Sequence, residues 1–567
     1  MNTAHYAVDG DVAIIRLDNP PVNGLSFELR TALAAGLERA QSDPAIKAIV
    51  MTGENRIFCG GADLRQINTP QYWAYPRTIE LAHLIDQLTK PVVAVIDGLA
   101  LGGGLELTLG CHYRVATPSA GLALPEVRLG LLPGGGATLR LPRLIGAEPA
   151  VRMMLSGAMV GSREALASGL IDAIVDNDPV TGGVAYARTV LGCSQPVRRA
   201  RDLPAPADGT QAFFAQCRRN LPPGRAAAAI LACIEAGVTQ PFDAAVQLAN
   251  DSTRELMESD EAAALRYLFF AERAAGKTAA AAKPARRIGS AVRVCRDAEP
   301  RAGDWLAASM RQAGDVAILL DDAGRWQLDP PQAGGADGAL RALGNADLIV
   351  VDSAGDDASD EMVCAMAAHV RPDAVVALQG CRVPPGGRAA GILPRATIGL
   401  YCAPAGKLVE AREEAGLEAE TAALVRYIRD RGAKVVLTRA GEAPIWEPVV
   451  ERARAYFMQR ADAGLNLAQV AEVLRQMGFG QPAIDALVPG AQAGLSAAAG
   501  RPQPPADVVE AVRAAIGLMA RECAGLVEAG RAMRIADVDV AMAGAGLFPA
   551  ILGGPAYYAE HTGGSPA

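Results

Sequence analysis

The sequence predicts an α/β protein: a first domain with a mostly parallel sheet, a helical stretch, a second α/β region and an all-helical end. Three observations carry this. Short β-branched runs bounded by turn residues alternate with helically spaced leucines over residues 12–175. The alternation resumes at Ala291, after an Ala-rich, basic stretch (278–287) that reads as a linker. Of the 567 residues, 50% are hydrophobic and 20% charged, enough for several cores and incompatible with a globally disordered chain.

VAIIRL (12–17) and IKAIVMT (46–52) read as strands. Between them, Ser26–Ala40 has helical spacing, with Leu29, Leu33 and Leu37 on one side. A strand at Val92–Ile96 follows Lys90-Pro91 and leads into GLALGGGLEL, Gly98–Leu107. The first domain ends with a short segment, Leu170–Val175. Residues 176–285 read as helical. The clearest long helix is Asp251–Lys277, whose Leu256, Leu265, Leu268 and Phe269 form an apolar face that must be buried. AVRV (291–294), DVAILL (315–320), ADLIVV (346–351) and DAVVAL (373–378) are strands at βαβ spacing, and the chain turns helical after Pro444. The expected regions are 1–180, 181–285, 286–440 and 441–567.

Net charge is −8, which argues against a nucleic-acid partner. The 10 Cys are scattered without a CxxC, and there are 5 His, so neither a metal site nor a disulfide framework is expected and a reducing compartment fits. The N-terminus shows no signal-peptide pattern, and no run of ~18 apolar residues occurs, so a cytoplasmic protein without membrane insertion is expected.

Four pieces of the first domain carry chemistry: FCGGADL (58–64) and LGGGLEL (101–107), each after a strand, then LPEV (124–127) and GLLPGGG (130–136). Glycines between a strand and a helix start leave backbone N–H groups free to face an anion. Two such groups can hold a developing oxyanion. Glu106 lies one turn into the helix that Gly103 opens, so its carboxylate belongs near that pocket. Cys59 and Cys111 read as small buried hydrophobes, and His112 as structural.

These residues, above all KPVVAVIDGLALGGGLELTLGCHYRVA, resemble the crotonase (enoyl-CoA hydratase/isomerase) family over residues 1–180. The resemblance implies a crotonase-like fold and an acyl-CoA thioester substrate. It implies an oxyanion hole from the N–H groups of Ala62 and Gly103, with Glu106 and Glu126 as catalytic carboxylates. Gly60, Gly61, Asp63, Leu64, Gly104, Pro125 and Gly134 would line the substrate. In hydration, Glu106 would deprotonate water and Glu126 deliver the α-proton; a double-bond shift would need Glu126 alone as shuttle.

Asp251–Lys277 resembles the linker helix of the multifunctional β-oxidation enzymes, in which a 3-hydroxyacyl-CoA dehydrogenase follows. ADLIVV, Pro404-Ala405, IADVDV (535–540) and GGPAYY (553–558) fall where that layout expects them. The implied second half is a Rossmann-like domain and a helical domain, both degenerate. A dinucleotide site needs Gly-x-Gly-x-x-Gly after its first strand, and here CRDAEPRAG (295–303) follows AVRV. GLYCAPA (399–405) places Leu400 or Tyr401 at the family's His position; the nearest His is His369. LQGC (378–381) lacks the family's Ser, and no Asn lies between Gly441 and Tyr456. Glu410 reads as a lone exposed Glu, with a survivor of the family's catalytic dyad as the alternative. NAD binding and dehydrogenase activity are therefore expected to be lost, leaving a module that stabilises the first domain or shapes its acyl pocket.

The expected function is hydration of 2-enoyl-CoA with no separate cofactor, in a β-oxidation-type pathway. The oligomeric state is expected to be monomer or dimer rather than the crotonase hexamer. The alternatives are a bifunctional hydratase–dehydrogenase, a hydrolase or decarboxylase on an unusual acyl-CoA, and a non-catalytic acyl-CoA-binding scaffold.

Overall fold

The computed structural model describes residues 3–562, except 68, 176–177, 194–195, 207–209, 276–286, 296–304, 314, 321–325, 330–334, 353–365, 367, 380–396, 404–406, 414–415, 440–442 and 492–503. The chain divides into two units, Met1–Ala263 and Ala264–Ala567. In the first, β1 (Ala4–Asp9) pairs antiparallel with β2 (Val12–Leu17). β2 begins a parallel run through β3 (Ala48–Gly53), β5 (Val92–Ile96), β7 (Tyr113–Ala116) and β10 (Ala173–Ile174). Sequence patterning did not locate β1, because four of its six side chains are exposed and no apolar alternation marks it.

A second, smaller sheet runs β4-β6-β8-β9, with β4 at Ile57–Cys59, β6 at Leu99–Leu101, β8 at Gly121–Ala123 and β9 at Val160–Gly161. Its first three strands are parallel neighbours, so their C-terminal ends lie side by side. The helix Phe27–Ser42 is capped by Ser26, whose Oγ accepts the Leu29 N–H, and it buries Leu29, Leu33 and Leu37 in the core beneath. Among the described residues no helix is long and apolar enough to cross a membrane, and no cluster of three or more His, Cys, Asp or Glu could hold a metal ion.

The expected single helix over 251–277 is two helices, Phe242–Met257 and Asp260–Ala274. The break is chemical. Ser259 Oγ accepts the Ala262 N–H and caps the second helix, a role that competes with staying inside a helix. The apolar face divides with the break. Leu256, Met257 and Ala262 belong to the core of the first unit, and Leu268 and Ala271 to that of the second.

The second unit holds an eight-stranded sheet. Its order is Trp326–Asp329, Val316–Leu320, Ala291–Cys295, Leu348–Asp352, Val375–Gln379, Thr397–Cys402, Leu408–Arg412 and Lys434–Thr438. The outer pair at Trp326–Asp329 and the pair Thr397–Cys402 with Leu408–Arg412 are antiparallel; the other neighbours are parallel. Helices follow from Trp446 to His561. Residues 296–303, Gly380-Cys381 and Pro404-Ala405, on which the degenerate dehydrogenase reading rests in part, lie outside the described residues.

Glu410 is not exposed: it retains 1% of its surface. It faces Tyr401 across the antiparallel pair, and both its carboxylate oxygens accept the Ile445 N–H, at 3.1 and 2.9 Å. Burial pushes its carboxyl up to about 8 against those bonds. It is a helix cap drawn from a neighbouring strand, which a single strand's sequence cannot reveal.

Candidate active site

The small sheet builds the site. β4 ends at Cys59 and delivers Gly60-Gly61-Ala62; β6 ends at Leu101 and delivers Gly102 and the helix Gly103–Gly110; β8 ends at Ala123 and delivers Leu124-Pro125-Glu126. Adjacent parallel strands thus bring three distant segments to one edge, where open α/β sheets bind ligands.

The first loop is stitched down by Gly60 N–H to Val22 O (2.7 Å) and by Leu25 N–H to Gly61 O (2.8 Å). Cys59 Sγ, fully buried, lies 2.9 Å from Asn23 O and accepts the Gly61 N–H at 3.4 Å. Gly103 is the first residue of its helix, so its N–H has no intrahelical partner. A Cβ on Gly103 would lie 3.4 Å from the Ala62 N, which places the two predicted oxyanion donors together. Gly102 is required by geometry. Its φ is +51°, and a Cβ there would sit 2.8 Å from Glu126 Oε1.

Glu106 is 3% exposed. Its Oε1 accepts the N–H groups of Gly135 (2.7 Å) and Ala137 (3.0 Å). Burial drives its carboxyl up to about 7, against the pull of those two bonds and of the Arg140 charge. Glu126 opens the turn Glu126–Leu129, and its Oε2 is sealed from solvent with no hydrogen-bond partner among the described residues. Burial first, and then the negative charge of Glu106, raise its carboxyl well above the ordinary range. The pair is unequal: Glu106 has two donors from a facing loop and a nearby cation, whereas Glu126 has only its own backbone N–H and no cation. Such a pair can hold one proton while the other group acts as a base.

The flanking residues divide. Asp63 turns to Arg65, accepting from its N–H and guanidinium at 3.0 and 2.9 Å, and caps the turn Leu64–Gln66. Leu64 is packed against the core. Gly104 packs on Cys59, where a Cβ would lie 2.5 Å from the Cys59 carbonyl; Gly134 packs on Thr253, at 3.0 Å by the same measure. Pro125 immediately precedes the Glu126 turn. His112 accepts the Val92 N–H at 2.9 Å, and burial lowers it to about 4, in keeping with a structural role. Sequence reasoning missed the Gly135 and Ala137 donors, although the GGG run signalled a loop facing an anion. It also missed Thr78, whose Oγ1 would lie 3.6 Å from a Cβ on Gly103.

The pattern of the enoyl-CoA hydratase/isomerase family matches residues 8–192. A probable enoyl-CoA hydratase of Bacillus subtilis is 39% identical over 176 residues, 30% of this chain and 68% of that protein. The chain belongs to the enoyl-CoA hydratase/isomerase family. It is also 41% identical over 274 residues to the peroxisomal bifunctional enzyme of Danio rerio, covering 48% of this chain and 38% of that protein. The chain thus spans about two-fifths of the length of the bifunctional relatives it matches. Among solved structures, Pseudomonas aeruginosa DspI is 30% identical, with 40% of this chain and 90% of that chain covered and a TM-score of 0.33. The chain is thus a member of the enoyl-CoA hydratase/isomerase family with similarity to β-oxidation multifunctional enzymes.

Proposed function

We propose that this protein adds water to 2-enoyl-CoA thioesters, giving 3-hydroxyacyl-CoA, with Glu106 as base for the water and Glu126 as acid for the α-carbon. The observation that carries this is the unequal buried pair. Glu106 ionises first because the N–H groups of Gly135 and Ala137 stabilise its charge; Glu126 keeps its proton because burial and the negative charge of Glu106 outweigh the one backbone hydrogen bond that opposes them. The N–H groups of Ala62 and Gly103 would hold the enolate oxygen of the thioester, each donor worth ~10²–10³ in rate. Coenzyme A enters as part of the substrate, and no separate cofactor is needed.

In the same reading the second unit performs no dehydrogenase chemistry and binds no NAD, since CRDAEPRAG replaces a glycine-rich turn after Ala291–Cys295. The experiment is a panel of 2-enoyl-CoA thioesters followed by loss of conjugated-enoyl absorbance. Wild type should hydrate at least one. Glu126→Gln should lower kcat by ~10²–10⁴, the usual worth of a positioned acid, while still binding acyl-CoA. Near wild-type turnover in Glu126→Gln would remove that residue from the mechanism.

A further inference from the structure

Behind the Gly134–Gly136 loop lies a buried charge that takes no part in the proton transfers themselves. Arg140 retains 0% of its surface. Its Nη2 is ion-paired to Asp86 Oδ2, itself 3% exposed, and lies 3.4 Å from His83 Nδ1. The Phe242 ring centroid is 5.2 Å from the guanidinium carbon. On its other side Arg140 meets the glycine loop. A Cβ on Gly136, where φ is +101°, would lie 2.2 Å from Arg140 Nη1, so only glycine lets the guanidinium reach the backbone there. Gly135 and Ala137, on either side of that glycine, are the two residues whose N–H groups hold Glu106. Nε and Nη1 of Arg140 have no hydrogen-bond partner among the described residues.

A buried arginine with one carboxylate partner and unused N–H groups is a poor stability device, because desolvation offsets what the ion pair contributes. Its placement is informative instead. Glu106 and Arg140 flank the same three-residue backbone strip from opposite sides.

We propose that Arg140, anchored by Asp86, is a positioning residue for Glu106: its fixed positive charge, packed against the glycine loop, keeps the Glu106 carboxylate ionised and aimed while Glu126 remains protonated. Asp86 sets the strength of that charge by partly neutralising it. The charged groups acting on Glu106 are Glu126 from its turn and Arg140 from the helix Ala137–Ile145, while His83 and Asp86 from the helix Thr78–Gln87 face Arg140. Arg77 and Glu80 on that last helix are paired with each other. Around the Arg140 pair, Arg201 also acts on Asp86 and Arg143 shares the Phe242 ring. The proposal rests on the hydratase reading for its consequence in turnover, but not for the protonation state of Glu106.

Two measurements test it on the full chain. Infrared difference spectra against Glu106→Gln give the pH at which the Glu106 carboxyl ionises, with no substrate present. The pH profile of kcat/KM gives the same group in turnover. In the double variant Asp86→Asn/Arg140→Gln, a neutral pair that can still hydrogen-bond, both should move upward by about one pH unit or more. In Asp86→Asn alone, with Arg140 unopposed, both should move down. Arg140→Lys, which keeps the charge, should return the profile most of the way to wild type. Loss of packing alone would not give opposite shifts from two variants of one pair. Identical titration of Glu106 in wild type and both asparagine-bearing variants, or shifts of the same sign, would overturn the proposal. A wild type that hydrates no enoyl-CoA, yet shows the opposite infrared shifts, would sink the hydratase reading and leave Arg140 in its role.

Discussion

Glu106→Gln should cost activity and raise stability, and the gain should depend on pH. The carboxyl ionises at 4.5 in an unfolded chain and at about 7 in the folded protein, because burial disfavours its charge. Between those values the folded state holds a proton that the unfolded state has released. Stability from this group is therefore intact below pH 4.5, falls as pH rises through the interval, and levels off above pH 7. At ~1.36 kcal/mol per pH unit, the ionised carboxylate costs the fold on the order of 3 kcal/mol at pH 8. Glutamine never ionises, and its carbonyl oxygen can still accept the Gly135 and Ala137 N–H groups. The value near 7 already includes what those bonds do for the charged form, so the expected gain is about 3 kcal/mol at pH 8 and none at pH 4.5. For a unit of this size that is about 6–12 °C in the Tm of its own transition.

Scanning calorimetry of wild type and Glu106→Gln at pH 5 and pH 8 reads this directly, with a hydration assay alongside. Hydration should fall by ~10²–10⁴ at both pH values. A Tm difference equal at the two pH values would show that Glu106 is already ionised at pH 5 in the folded protein, as it is in the unfolded chain. The inference of a buried base retained for function at the expense of stability would then fail.

Calorimetric titration of the full chain with NAD and NADH should give no heat of specific binding; micromolar affinity would refute the degenerate reading of residues 295–303. A chain ended at residue 263 should be soluble and hydrate enoyl-CoA, whereas one ended at residue 250 should aggregate, because Leu256, Met257 and Ala262 complete the first core; equal behaviour in solubility and hydration assays would show that the segment is dispensable. Asp539→Ala should destabilise the second unit by ~2–4 kcal/mol in denaturant melts, since Asp539 is fully buried and accepts from Tyr267 Oη (2.9 Å) and the N–H groups of Ala556 and Tyr557.

The parts of the site that the sequence exposed are those that strand ends make contiguous. FCGGADL, LGGGLEL and LPEV each set a functional group on a turn within a few residues of a strand end, so local chemistry reveals them. The sheet that joins them stayed hidden because its strands are two or three residues long, too short for a period to show. Arg140 and Asp86 stayed hidden for another reason. They are 54 residues apart, and each taken singly reads as a solvated helix charge.

Glu410 and Ser259 mark the same boundary from the other side. Charge and helical spacing favoured an exposed Glu and an unbroken helix, and both readings failed where a polar side chain satisfies backbone N–H groups that the chain itself leaves open. Ser259 does so three residues away, so its error was correctable from sequence, given that Ser is a preferred cap before Asp-Glu. Glu410 does so 35 residues away, across a strand-to-helix connection, and no local rule could find it. Buried carboxylates that accept backbone N–H groups recur here at Glu106, Glu410 and Asp539. What separates Glu106 from the other two is a second carboxylate sealed from solvent, Glu126, whose charge couples to its own; Glu560, the carboxylate that acts on Asp539, is exposed. A capping carboxylate needs only donors; one that moves protons needs a partner that can hold the proton it gives up.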